Sequence, residues 1–352
     1  MSAPNSRHVA SLDANGVHAN QKPALRVLLG TASIGSSDVA MAKINTIEDT
    51  SKFLDTFRAR GYVDIDTARA YPVGRGGTCE KLLGSKPLKI GTWANVSTKV
   101  SSFMPGSHRP KNIAASIEKS LGALNMDSVD TMYLHAPDRA TPFKDTLAAM
   151  HSAYHAGKFE RWGLSNFSAS EVEEVIQICQ VENLAMPAVY QGQYNAICRG
   201  AEEQLLPILR KHDIAFHAYS PSACGFFSGK VTRATSGVSG SRWDAKSPLG
   251  AKYSHDYFHD LMFSAGEMVR QSARKHGIRG HDVGLRWIVW HSQLDAERGD
   301  GVIVGASNVK QLAENLDILE QGPLPPELVR VIGMAWNMVK DIEHGPKYNM
   351  RP

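Results

Sequence analysis

What the chain has little of excludes a good deal. Cysteine is scarce: Cys79, Cys179, Cys198 and Cys224 are all there is in 352 residues, without C-x-x-C or metal-type spacing. A disulfide framework and a metal site are therefore not expected, and free thiols suit a reducing compartment, the cytoplasm. Long apolar runs are missing too. The stretch 1–22 is polar and the run 25–30 is short, so neither a signal peptide nor a membrane span is expected. No block of one charge occurs: 39 Lys and Arg against 35 Asp and Glu leave a formal +4, which makes nucleic acid an unexpected partner. There is also no G-x-G-x-x-G turn, the dinucleotide signature of open doubly wound sheets, and no internal repeat or low-complexity segment.

An apolar share of 42% supports a sizeable core, and the length fits either two average domains or one large α/β barrel. Eight strand-like segments decide between them: "RVLLGTAS" (26–33), "GYVDIDTA" (61–68), "NVSTKV" (95–100), "VDTMYLHAP" (129–137), "RWGLSNF" (161–167), "AVYQGQYN" (188–195), "IAFHAYS" (214–220) and "GVIVGAS" (301–307). Helical segments lie between them. In "TIEDTSKFLDTFRARG", Ile47, Phe53, Leu54 and Phe57 share a face and Gly61 reads as the stop, while "RPKNIAASIEKSLGALN" and "TPFKDTLAAMHSAYHAG" start at proline and end at Asn or Gly. Eight such units predict a closed (β/α)8 TIM barrel occupying 25–352, preceded by a flexible arm, 1–24. The last unit is irregular: a long loop after the seventh strand holds "TRATSGVSGSRWDAKSPLG" and then helical stretches at 258–276 and 283–291. Loops of that length act as lids or ligand clamps. A final helix is expected over 326–342, before a polar tail ending "YNMRP".

Catalytic groups of such barrels sit at the C-terminal ends of the strands. Asp66 ends the second strand and Tyr71 follows in the loop; Lys99 ends the third; His135 stands near the end of the fourth. Singly, each has an ordinary structural reading as a turn cap, a solvated strand end, a core imidazole or a packing ring. Together they are what is needed to hand a proton to a carbonyl oxygen. A phenol with an ordinary pKa of about 10 is a poor acid near neutrality unless a cation stabilises its phenolate. Lys99 can supply the cation, Asp66 can hold it, and His135 can orient the carbonyl.

"DIDTARAY", "STKV", "YLHAPD", "GLSNF", "YQGQYN" and "AYSP" stand in the order and near the spacing of the aldo-keto reductases. "YLHAPDRATPFKDTL", "GKFERWGLSNFSASEV", "VYQGQYNAICR" and "VIVGASNVKQLAENLD" most resemble the aflatoxin aldehyde reductase branch, the likeness running over 25–345. The resemblance implies the same barrel with its C-terminal tail over the site, the tetrad Asp66, Tyr71, Lys99 and His135, and a nicotinamide cofactor bound without a Rossmann unit. Ser165, Asn166 and Gln191 then offer donors and acceptors for a carboxamide, and Tyr219, followed by Ser220, offers a ring face for stacking. At the adenosine end, Gly305, Ser307, Gln311 and Asn315 lie in a strand, turn and helix start that can present backbone N–H groups to a phosphate. Many relatives carry Lys and Arg where Gly305 and Gln311 stand; the resembled branch shares Gly and Gln yet prefers NADPH, so NADPH is expected, with Arg242 or Lys310 replacing the charge.

For the substrate, a small carbonyl compound, the expected contacts are Trp93, Phe226 and Arg351. Phe103, Phe227 and Trp243 add apolar surface, and Arg351 is suited to a carboxylate. The expected activity is NADPH-dependent reduction of an aldehyde or ketone. The same chemistry run as an alcohol dehydrogenase, and a cofactor-binding accessory protein like the potassium-channel beta subunits, are open alternatives, as is a homodimer.

Overall fold

The computed structural model describes residues 22–232, 243–244 and 246–350. Eight parallel strands, β1 (Arg26–Gly30), β2 (Asp64–Asp66), β3 (Asn95–Val100), β4 (Val129–Leu134), β5 (Phe159–Ser165), β6 (Val189–Gln193), β7 (Ala215–Tyr219) and β8 (Gly301–Gly305), close in chain order into a barrel. The ring is sealed by β1 on β8, in register from Arg26 opposite Gly301 to Gly30 opposite Gly305. Around it run α1 (Ile47–Arg58), α2 (Thr78–Leu83), α3 (Pro110–Leu124), α4 (Phe143–His155), α5 (Ala169–Val181), α6 (Ala201–Gln204), α7 (Leu206–Lys211), α8 (Pro248–Tyr257), α9 (Asp260–Lys275), α10 (Gly280–Trp290), α11 (Val309–Leu319) and α12 (Pro326–Val339).

Strands covered on both faces read as near-continuous apolar runs, which is why the short β segments were legible as buried. Inside the barrel, Tyr133 packs with Val189 and Ala215 and its hydroxyl meets His217 Nδ1 at 2.9 Å. Gly163 of β5 makes room for it, since a Cβ there would collide with the Val189 carbonyl and stand 2.9 Å from the Tyr133 ring. Helix α1 is started by Thr46, whose hydroxyl accepts from Asp49 N–H, and buries Phe53, Leu54 and Phe57. Ile47, expected on the same face, lies in the first turn and is exposed. Ser168 and Glu171 start α5 with a reciprocal capping box.

Several strands end earlier than the sequence pattern suggests. β2 stops at Asp66, after which only spaced backbone bonds to β3 continue, from Thr67 N–H to the Ser97 carbonyl and from Arg69 N–H to the Lys99 carbonyl; β4 stops at Leu134, after which the His135 N–H turns to Ser102 Oγ. The polar groups of the site stand at these strand ends: Asp66 as the last residue of β2, Lys99 near the end of β3 and His135 just past β4. After β7 the expected loop contains a helix the pattern did not reveal, α8. Ser247 caps it by accepting from Gly250 N–H, and Tyr253 and Tyr257 pack against Trp243, tilted at 5.9 Å and edge to face at 5.5 Å.

Candidate active site

Lys99 is the buried centre of the C-terminal face. Its Nζ donates to Asp66 Oδ1 and Oδ2 at 2.7 and 2.9 Å and to the Thr67 carbonyl at 2.7 Å. Gln191 Nε2 adds a fourth bond to the cluster, 2.8 Å from Asp66 Oδ2. Burial pushes the Lys99 ammonium below its ordinary pKa while Asp66 pulls the other way. The ammonium lies 5.2 Å from the centre of the Tyr71 ring, within cation–π range, and Tyr71 is half-buried on the cavity wall. The Tyr71 and His135 rings meet edge to face at 5.7 Å. Burial first, and the Lys99 charge second, hold the His135 imidazole well below the usual range, so it is neutral. A phenol and a neutral imidazole therefore meet at the cavity, two groups able to donate a hydrogen bond or proton to one oxygen, above an ammonium whose three protons are already engaged and which can contribute only its charge.

These groups open into a cavity of about 600 Å³, whose wall includes Ser165, Asn166, Gln191, Tyr219 and Ser220 as well as Gly305 and Asn315. The tail crosses it: Met350 is on the wall, its N–H bonds the Asn166 carbonyl at 2.9 Å, and Tyr348 Oη accepts from Ala169 N–H. Asn166 sits at φ 65°, a left-handed conformation asparagine tolerates. Its Nδ2 donates to Ser165 Oγ and to the His135 carbonyl, both at 2.9 Å, and its Oδ1 accepts from Tyr219 at 2.8 Å. The amides expected to grip a carboxamide thus already hold the site together, while the Ser165 hydroxyl keeps its own proton to donate.

At the start of α11 the expected free N–H groups are partly taken. Ser307 donates through both N and Oγ to Gln311 Oε1, at 2.7 and 2.8 Å, and Gln311 N–H is capped by Asn308. Asn315 is held between the Gly305 carbonyl at 3.1 Å and His281 at 2.9 Å.

Two expected substrate contacts are corrected. Trp93 precedes β3 and so lies at the N-terminal end of the barrel, opposite the site, with its Nε1 on the Leu88 carbonyl and Arg58 over its ring. Phe226 is not on the wall; it is wholly buried among Phe227, Tyr257 and Phe263, because Cys224 and Gly225, at φ 54° and 80°, turn the chain inward. Of the expected aromatics, Phe103 does reach the cavity. Arg242 and Arg351 lie outside the described residues. Leu249, Lys252 and Tyr253 of α8 also line the cavity; the sequence pointed to the segment from Cys224 to Tyr257 as pocket wall without singling these three out, and their helical spacing was the available signal.

The sequence profile of the Aldo/keto reductase family matches residues 26–336. An aldo-keto reductase of Pseudocercospora fijiensis is 38% identical over 292 residues, 82% of this chain and 97% of that protein. Aflatoxin B1 aldehyde reductase member 2 of Mus musculus is 35% identical over 327 residues, 89% of this chain and 84% of that one. Among solved structures, the glycerol dehydrogenase of Gluconobacter oxydans superposes with a TM-score of 0.66 at 22% identity, covering 92% of this chain and 95% of that one, a likeness of fold.

Proposed function

Because this chain belongs to the aldo/keto reductase family, we propose that it reduces an aldehyde or ketone to the alcohol with NADPH, Tyr71 giving the proton. The observation that carries this reading is the buried Lys99–Asp66 pair beneath Tyr71. A nicotinamide cofactor, when bound, supplies the hydride for the carbonyl carbon. The residues fit such a group: Tyr219 puts an aromatic ring on the wall, Ser165 a free hydroxyl proton, and the same cavity takes in Gly305 and Asn315.

The chain's own part is proton delivery and orientation. As charge builds on the carbonyl oxygen, Tyr71 donates its proton and becomes a phenolate, which the Lys99 ammonium stabilises at short range in a water-poor setting. Asp66 keeps Lys99 charged despite its burial, and Gln191 and Thr67 fix the pair. His135, neutral, offers a hydrogen bond to the same oxygen without adding charge. The exposed Phe103 at the rim and the apolar side chains of Leu249 and Met350 favour a carbonyl carried on an apolar body. All four cysteines are free and no helix of the described residues is long and apolar enough to cross a membrane, which suits a reducing compartment such as the cytoplasm.

Oxidation of NADPH by a panel of reactive aldehydes tests the activity, and Tyr71→Phe tests the donor. The variant should bind cofactor as the wild type does, with kcat lower by at least ~100-fold. Near-normal turnover in the variant removes Tyr71 from the role. Tight cofactor binding by the wild type with no turnover of any carbonyl would instead support an accessory, interaction role.

A further inference from the structure

We infer that Ser102 and His108 act as a positioning pair for His135, setting the angle at which its ring meets the substrate. This rests on the reading that His135 orients the carbonyl.

His135 lies one residue beyond β4, where the sheet ladder no longer holds the backbone. Side chains from the two adjoining loops take over. The His135 N–H donates to Ser102 Oγ at 3.1 Å, and the His135 carbonyl accepts from Asn166 Nδ2 at 2.9 Å. The ring has no comparable hold of its own, since its Nδ1 is buried without a partner. Its orientation therefore comes from the fixed backbone and from edge contacts with Tyr71 and with Phe103, the residue after Ser102, at 4.8 Å.

Ser102 is itself held. Its Oγ stands 2.8 Å from His108 Nε2 and 3.2 Å from the Val100 carbonyl, and a hydroxyl has one proton to give. If that proton goes to His108, the imidazole must carry its own on Nδ1, which is buried and unpartnered. If Nε2 carries it, Ser102 accepts from both His135 and His108 and donates to Val100, so every proton has an acceptor and Nδ1 is left with a lone pair only. Orphaned buried N–H groups are the rarer defect, which selects the second arrangement. His108 is completely buried and anchored through its backbone N–H to Asp138 Oδ2 at 3.0 Å. Asp138 also accepts from Gly106 N–H at 3.2 Å and from Thr141 Oγ1 at 2.7 Å. One carboxylate thus clamps the loop after β3 to the loop after β4, with the Ser102–His108 contact enclosed between them. A serine that merely satisfied a strand-end N–H would need no second, buried histidine behind it.

The test compares Ser102→Ala and His108→Leu with the conservative Ser102→Thr and His108→Gln, which keep a hydroxyl and an amide donor. Each disruptive variant should lower kcat about tenfold with the Kd for NADPH unchanged, the double variant should lose little more than either single one, and the conservative variants should recover most of the rate. The His135 ring resonances, identified by their loss in His135→Gln, should shift in Ser102→Ala and return in Ser102→Thr. Unmoved ring signals, or a fall in rate matched by weaker cofactor binding and not recovered by the conservative variants, would overturn the pair. The ring signals report on positioning whether or not His135 proves to act in turnover. Full activity in His135→Gln would therefore refute the catalytic reading, and the ring signals would still decide the positioning of His135.

Discussion

Lys99→Met removes the cation from beneath Tyr71, but it also strands a carboxylate. Asp66 is almost fully buried and would keep Gln191 Nε2, at 2.8 Å, in place of the bidentate ammonium at 2.7 and 2.9 Å. The Thr67 carbonyl would lose its donor as well. Removing one partner of a buried ion pair typically costs ~3–5 kcal/mol, because the other charge is left uncompensated. That is a large fraction of the ~5–15 kcal/mol that holds most domains folded. The substitution should therefore shift the urea unfolding midpoint markedly, and activity has to be measured under conditions where the variant is shown to be folded. Asp66→Asn combined with Lys99→Met separates the two effects: with no stranded charge, most of the lost stability should return while turnover stays low, since the phenolate still lacks its cation. A single variant as stable as wild type, or a double variant no more stable than the single one, refutes the account of Asp66 as a charge held by Lys99. Restored turnover in the double variant refutes the role of Lys99 in assisting Tyr71.

Acid should destabilise the fold through its buried neutral histidines. Burial pushes His108 to about 4 and His217 to about 3, below the ordinary 6.5, so the unfolded chain binds more protons across that interval and stability falls as the pH drops through 6.5. Each should cost about 1.4 kcal/mol by pH 5.5, with His135 acting in the same sense, and His108→Gln should remove one such share from the difference between urea midpoints at pH 7.5 and 5.5. Equal midpoints at the two pH values contradict this. Preference for NADPH should depend on Arg242 or on Lys310, exposed in the first turn of α11. Losing a charge-assisted phosphate contact worth about 1.5–3 kcal/mol should weaken NADPH by roughly tenfold to a hundredfold and spare NADH. If neither Arg242→Ala nor Lys310→Ala changes the ratio of the two affinities, the 2′-phosphate lies elsewhere. Arg351→Ala should raise KM for a carboxylate-bearing aldehyde and leave an uncharged one alone; equal effects on both dismiss it as a carboxylate grip.

The barrel and the gathering of Asp66, Tyr71, Lys99 and His135 at one end of it were legible because both rest on a local signal: a short strand with a polar residue, which burial would otherwise forbid, at or just past its C-terminal end. Asp66, Lys99 and His135 each fit that description, and strand order alone brings them to one end. Direction along a strand matters as much as proximity to it. Trp93 stands two residues before β3 and Lys99 near its end, so the same strand delivers one to each face; treating the segment as a wall of the pocket ignored its polarity. Phe226 shows a second limit. An aromatic in a long loop reads equally as ligand contact or as anchor, and the choice is made by the backbone turn at Cys224 and Gly225, together with the rings of α8, a helix hidden behind Pro248 and a glycine-rich approach.

What sequence could not supply was the prior engagement of polar groups. Asn166 and Gln191 were chosen because an amide can both donate and accept, and Gln311 for its place at the start of α11, but all three are already engaged within the protein: Gln191 donates to Asp66, Asn166 donates to the His135 carbonyl and accepts from Tyr219, and Gln311 accepts from Ser307. A ligand at these places must share a second lone pair or displace an internal bond, so the affinity it gains at Gln311 is the difference between two hydrogen-bonded states. The same holds for His135. Its setting is assembled from Ser102, His108, Asn166 and, through Asn166, Met350. No periodicity relates those four positions. They meet because successive barrel strands release their loops at the same face, and the tail returns across it.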